Sequence, residues 1–388
     1  MKILRVLLVL MGITSLLVAS GCWNYKEMSN LYYITAVGID WNRGAYDIYA
    51  QISDFSTVAG PEGEGNGDST KRFWTVHGRG ITLDAAAHDL YAHVDGYIRW
   101  GHVTVILLSE RVLKHGFRDI IDLWNRFYEN RYTPWVFATD ESLTKILTNP
   151  PVVFDSPLNM QLQNPYSEYQ QRSYIPPVRY FEWVRNIREP GRTQNIPGLR
   201  MVGEWMTHKG KRATMLEIDH IYNTHKHHML AKMEASDLMG MRWITPQMIQ
   251  SHLNLQKDGQ SVADLIVKNP KVQITPYVGK NGYPRYDIDV DAEATIISLK
   301  KPLSLEKIKR LSQQTIADQI HFTQRQALSK RCDVYNLSYH FFYQNPKAWN
   351  QLNKKGKMIL RTNSLGKIKV EVKITTSGKS KIHTMSKK

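Results

Sequence analysis

The sequence predicts an α+β protein of three domains, with mixed sheets covered by helices and a long C-terminal helix packed on a sheet. Three observations predict it. Val103 to Leu108 is a run of strand length, apolar except for Thr104, the pattern of a strand buried on both faces, and helical spacing follows it from Gly116. Ile368, Val370, Val372 and Ile374 alternate with Lys367, Lys369, Glu371 and Lys373, the period of a half-buried edge strand. After Ser304, the residues Leu305, Ile308, Leu311, Ile316, Ile320 and Ala327 recur at helical spacing as far as Lys330, leaving the other faces to Lys, Arg and Gln.

The chain opens with Lys2 and Arg5, an uncharged apolar run from Val6 to Val18, the small residues Ala19-Ser20-Gly21, and then Cys22. This is the grammar of a secretory signal, too short for a good membrane-spanning helix. It resembles a bacterial lipobox, whose cysteine takes a diacylglycerol while the peptide before it is cut away. The usual leucine three residues before the cysteine is Ala19 here. The expectation is a signal peptide over 1–21 and lipidation at Cys22, with membrane lipid as a partner. Two acyl chains give stable anchoring where one is marginal.

Composition bounds the remainder. The chain has 388 residues, 42% hydrophobic and 22% charged, which is globular rather than disordered. It has two cysteines. With Cys22 acylated, Cys332 has no intrachain partner, so burial rather than a disulfide framework must supply stability. The formal charge is +16, and residues 300–388 carry 20 Lys and Arg against 4 Asp and Glu. A basic face can bind nucleic acid, but export argues against that, and no nucleic-acid partner is expected. Anionic headgroups would attract such residues; a solvated basic face is the plainer reading.

Following the leader, a domain over 22–150 is expected. Ile34 to Ile39 and Tyr46 to Ser53 read as a hairpin turning at Asn42-Arg43-Gly44, and Gly60 to Asp68 as a flexible loop. Phe73 to Val76 is a strand, and Thr82 caps a helix running to about His93. Phe117, Ile120, Ile121, Trp124 and Phe127 form one apolar stripe, Trp135 to Ala138 a strand, and Ser142 caps a last helix stopped by Pro150-Pro151. A connecting segment over 151–198 follows, with one helix from Val178 to Ile187 and its loosest part from Arg188 to Gly198. A middle β-rich domain over 199–300 holds strands at Leu199 to Met206, Val262 to Val267, Val272 to Tyr277 and Tyr286 to Ser298. His208-Lys209-Gly210 turns the first of these, Asn269-Pro270 is a second turn, and Met229 to Met241 reads as helical. A C-terminal α+β domain over 301–378 adds the long helix, an aromatic helix from Asp333 to Tyr343, and the edge strand. Residues 379–388 read as a disordered basic tail.

No pattern of catalytic chemistry is complete. There is no Gly-x-Ser-x-Gly elbow, and Gly78-Arg79-Gly80 precedes a helix without the lysine of a phosphate loop. His220, His225, His227, His228 and His252 fit no zinc template, and Asp287, Asp289 and Asp291 lack the glycine and distal glutamate of a calcium loop. Cys332 reads as an ordinary thiol. No catalytic residue, cofactor or metal site is expected.

Five pieces taken together resemble the Ger(x)C family, the C-subunit lipoproteins of bacterial spore germinant receptors. They are Gly21-Cys22-Trp23-Asn24-Tyr25-Lys26-Glu27, Thr35-Ala36-Val37-Gly38-Ile39-Asp40, Trp100-Gly101-His102-Val103 and the strand after it, Met239-Gly240-Met241-Arg242-Trp243, and the long helix followed by Asp333 and Asn345-Pro346-Lys347-Ala348-Trp349. Where such proteins usually carry Asp-x-Phe-Gly-x-Gly, this chain has Asp333-Val334-Tyr335-Asn336-Leu337-Ser338. The resemblance implies a non-enzymatic lipoprotein on the outer face of the spore inner membrane. Its implied partners are a multi-spanning, transporter-like A subunit and an integral B subunit. A cell-wall-acting lipoprotein enzyme would instead place two buried carboxylates in a deep pocket. A substrate-binding lipoprotein would fold as two like lobes around a cleft.

Overall fold

Strands β1 (Leu31–Asn42) and β2 (Ala45–Ser53) form a hairpin whose turn needs left-handed backbone at both central residues, Arg43 (φ 50°) and Gly44 (φ 76°). The computed structural model describes residues 31–53, 73–148, 162–206, 212–353 and 360–376, with a few isolated leader positions. Cys22, the loop from Gly60 to Asp68, Pro150-Pro151, the turn at His208-Lys209-Gly210 and the tail 379–388 lie outside the described residues, as does nearly all of the leader.

β3 (Phe73–Gly80) pairs with β2, and α1 (Leu83–Tyr91) starts at Thr82, whose hydroxyl accepts the Ala85 N–H at 3.1 Å. A Cβ at Gly78 or Gly80 would overlap the backbone of Ala86. The Gly-x-Gly therefore lets α1 lie close on β3 and does not cradle phosphate. β4 (Tyr97–Arg99) and β5 (Val105–Ser109) both run parallel to β1, and every residue of β5 is buried. Ser109 directly caps α2 (Glu110–His115), a helix with no counterpart in the sequence reading. In α3 (Arg118–Arg126) the stripe buries Ile120, Ile121 and Trp124 beneath Phe117, but Phe127 lies past the helix end and is 51% exposed.

β6 (Trp135–Thr139) and α4 (Leu143–Leu147) follow, the latter capped by Ser142 as expected. Then come α5 (Pro165–Gln171), β7 (Val178–Arg179), α6 (Tyr180–Arg188), β8 (Thr193–Met206), β9 (Arg212–His225) and β10 (His228–Glu234). The order β10-β9-β8-β6-β5-β1-β2-β3, with β4 beside β1 and β7 beside β6, makes one ten-stranded sheet. The stretch expected to be loosest, Arg188 to Gly198, thus enters a strand. Pro197 is tolerated because β6 meets β8 only at Ala138–Gly198. Met229 to Met241 is not one helix: β10 takes its first part, because pairing with β9 outweighs the helical preference of methionine.

The C-terminal unit holds α7 (Met241–Ile244), β11 (Gln250–Lys257), β12 (Gln260–Val278), β13 (Pro284–Leu299), α8 (Leu305–Ser329), α9 (Leu337–Gln344), α10 (Pro346–Leu352) and β14 (Leu365–Thr376). Its sheet runs β11-β12-β13-β14, with β14 parallel to β13 at the edge. Asn269-Pro270 is a bulge inside the continuous β12 rather than a turn between strands. α8, capped by Ser304, lies on this sheet through Ile308, Ile316, Ile320 and Ala327, whereas Leu305 is 46% exposed. Two apolar cores cover the faces of the large sheet. A third fills the C-terminal unit and reaches Ile221 and Met233 of β9 and β10.

Candidate functional site

The expected site residue, Cys22, precedes the first described strand by nine positions. Where β1 begins, Leu31 pairs with Tyr97 of β4. Around that entry point Tyr97, Phe127, Tyr128, Tyr132 and Phe181 are between 45% and 94% exposed. The Tyr128 hydroxyl and Arg99 both donate to Glu129 Oε1, at 3.5 and 3.2 Å, and the Phe181 N–H donates to Tyr132 O at 3.0 Å. The first two contacts hold the Tyr128 segment against β4, and the third joins the Tyr132 and Phe181 backbones.

Several described residues that carry the resemblance make contacts within the fold. Asp40, 3% exposed, accepts from the Ser109 hydroxyl and the Arg111 guanidinium. The His102 ring meets Tyr33 edge-on at 4.7 Å. The Gly240 N–H donates to Thr323 Oγ1 at 2.9 Å, and a Cβ there would overlap the backbone of Gln319, so α7 sits directly on α8. Trp243 and Arg242 both donate to Gln319 Oε1, and the Arg242 guanidinium lies 4.4 Å from the Tyr174 and Trp243 rings. Where the family pattern usually has glycine, Asn336 holds the left-handed conformation (φ 56°) and adds a contact glycine lacks: its Oδ1 accepts the Thr193 N–H at 2.8 Å.

The histidines do not converge. His225 meets Arg192 O at 3.0 Å and His252 meets Asp264 at 3.1 Å. Among the described residues, His220 is the one of these five that falls in a group with two carboxylates, with Asp219 at 2.5 Å and Glu234 within metal-ligand spacing. Arg200 already bonds both carboxylates, at 3.1 and 2.8 Å, so this is an ion-pair network. Asp287 Oδ1 accepts the Lys367 N–H at 2.7 Å, a strand-edge bond that leaves Asp289 and Asp291 on an alternating face. Cys332 is buried and lies 3.5 Å from Met233 Sδ; desolvation first, and Asp333 second, push its thiol up to about 12. A thiol so placed is inert.

The feature the sequence did not reveal is a cavity of about 470 Å³ where the large sheet meets the C-terminal unit. Beside it, Thr193 and Asn195 join the large sheet to the C-terminal unit. The Thr193 hydroxyl donates to Asp333 O at 2.6 Å, and Asn195 Nδ2 to Val334 O at 2.9 Å. Arg179, Arg185, Arg192 and Glu182 line the cavity together with Tyr335, Tyr339 and His340. Arg179 stacks on Trp135 at 3.2 Å and Arg192 over Tyr339 at 4.7 Å. Burial, and then the nearby Arg192 charge, hold His340 below the usual imidazole range. The arginines at 179, 185, 188 and 192 were a visible signal, hidden by reading the segment as a connection.

Two family profiles match, "Spore germination protein N-terminal domain" over residues 24–201 and "Spore germination B3/ GerAC like, C-terminal" over 224–378. Spore germination protein KC of Bacillus subtilis (strain 168) is 23% identical over 372 residues, 90% of each chain. The crystal structure of the GerBC protein superposes with a TM-score of 0.52 at 15% identity, covering 87% of this chain and 96% of that one, a likeness of fold.

Proposed function

The chain belongs to the GerAC-like family of spore germination proteins, with a role in spore germination, and from that membership we propose that it is the lipid-anchored C subunit of a nutrient germinant receptor. Cys22 carries the lipid, and the folded body lies at the outer face of the spore inner membrane. There it contacts the integral A and B subunits and helps convert nutrient binding into the germination signal, without catalysis of its own. The observation that carries this reading is where the chain enters the fold. Leu31 is nine residues from Cys22 and pairs with Tyr97, whose ring is exposed. Nine residues span at most about 30 Å, so Tyr97 is kept near the bilayer, where amphipathic rings are favoured. Among the described residues no helix is long and apolar enough to cross a membrane.

The cell-wall-enzyme alternative has less support. Asp40 and Asp47 are two buried carboxylates, but Arg111 and Arg79 tie them up, and the described cavity lies elsewhere. The test is Cys22→Ala in sporulating cells. The variant should move from the spore membrane to the soluble fraction, and detergent-solubilised membranes should yield the integral subunits with the wild type only. Membrane retention of an unlipidated variant would defeat the proposal.

A further inference from the structure

The cavity at the junction has features that anchoring does not use. Its volume falls within the range of small-molecule sites, roughly 300–1,000 Å³. Three guanidinium groups face one carboxylate there, and that carboxylate is committed: Glu182 Oε2 accepts the Arg179 N–H at 2.9 Å as the helix cap. Among the described residues, Arg179, Arg185 and Arg192 form no ion pair. Arg192 is the most exacting of them. It is half-buried, and its Nε is enclosed without a hydrogen-bond partner. Tyr169 also lines the cavity; it is 3% exposed, and its hydroxyl is buried without a partner. A buried donor left unmatched is costly, and a guanidinium is best matched by a planar anion that accepts two hydrogen bonds. The walls also carry the apolar side chains of Trp135, Val178 and Ile274.

We propose that this cavity binds a small organic carboxylate, its charged end on Arg192 and Arg185 and its apolar body against Trp135 and Val178. The site stands independently of whether Cys22 is acylated. Its walls come from both halves of the molecule.

The test is calorimetric titration of the full chain in detergent with benzoate, hexanoate and 2-naphthoate. The neutral 2-naphthamide serves as a shape control and inorganic phosphate as a charge control. At least one carboxylate should bind saturably at a single site, and the amide and phosphate each at least tenfold more weakly. Arg192→Gln should weaken the carboxylate about tenfold. Arg185→Gln, at the exposed rim and without a packing role, should weaken it at least threefold with an unchanged circular dichroism spectrum. Absence of saturable binding by all three carboxylates, equal binding of acid and amide, or unchanged affinity in Arg185→Gln would overturn the proposal.

Discussion

Each half of the molecule buries carboxylate, and the two halves do it differently. In the large sheet Asp40 and Asp47 stand opposite each other on β1 and β2, both 3% exposed. Each is matched by an arginine: Asp40 by Arg111, Asp47 by Arg79 at 2.6 Å with His77 at 2.8 Å. In the C-terminal unit Asp333 is 2% exposed and has no cation among the described residues. Its oxygens accept the Leu337 and Ser338 N–H groups at 2.9 and 2.8 Å, at the start of α9. Burial raises its pKa from the ordinary carboxylate value, against the pull of those hydrogen bonds. The first arrangement depends on arginine side chains that are 60% and 40% exposed, and so on ionic strength. The second depends on backbone geometry, and so on pH.

The contrast is easiest to break at Asp333. Asp333→Ala strands two buried N–H groups and should cost about 2–4 kcal/mol in urea unfolding. Asp333→Asn, which keeps one acceptor, should cost less; a loss below about 1 kcal/mol for the alanine variant would remove the contrast. Arg79→Met and Arg111→Met should each cost about 1–2 kcal/mol, less than a fully buried pair because water reaches the guanidinium. That cost should shrink in 1 M salt (a concentration with a Debye length of about 3 Å), while the Asp333→Asn cost should not.

The pH profile sharpens the same point with a smaller effect. A raised carboxylate pKa means the folded state binds the proton more tightly, so Asp333 makes stability fall as pH rises above 3.8. His227, His321 and His340 act in the opposite sense. Burial lowers each, so the folded state binds protons less tightly and stability falls as pH drops below 6.5. Asp333→Asn should flatten the acid-side trend and leave the histidine trend intact, as read by thermal unfolding across pH. The smallest effect is expected at the chain entry. Tyr128→Ser should change stability by less than about 0.5 kcal/mol, yet lower the affinity of the acylated protein for anionic vesicles in a flotation assay.

What the sequence made legible was local. Thr82, Ser142 and Ser304 announce three helix starts because the cap bond spans three residues. The alternation in β14 is visible because one face is wet. Long-range pairing was not legible. β8 and β10 contain a Pro-Gly step and a methionine run that locally suggest loop and helix, and only β9 between them makes both strands. The cavity was less legible still, since its walls join residues from Trp135 to His340. Asn336 lies between these cases: a departure from the family pattern that keeps the pattern's conformation, because asparagine tolerates the left-handed region.

The most direct measurement is mass spectrometry of the mature N-terminal peptide from purified spore membranes. The account predicts that the protein begins at Cys22 and that this residue carries a thioether-linked diacylglycerol. A mature chain that retains Met1 to Gly21, or a Cys22 recovered as a free thiol, would contradict it.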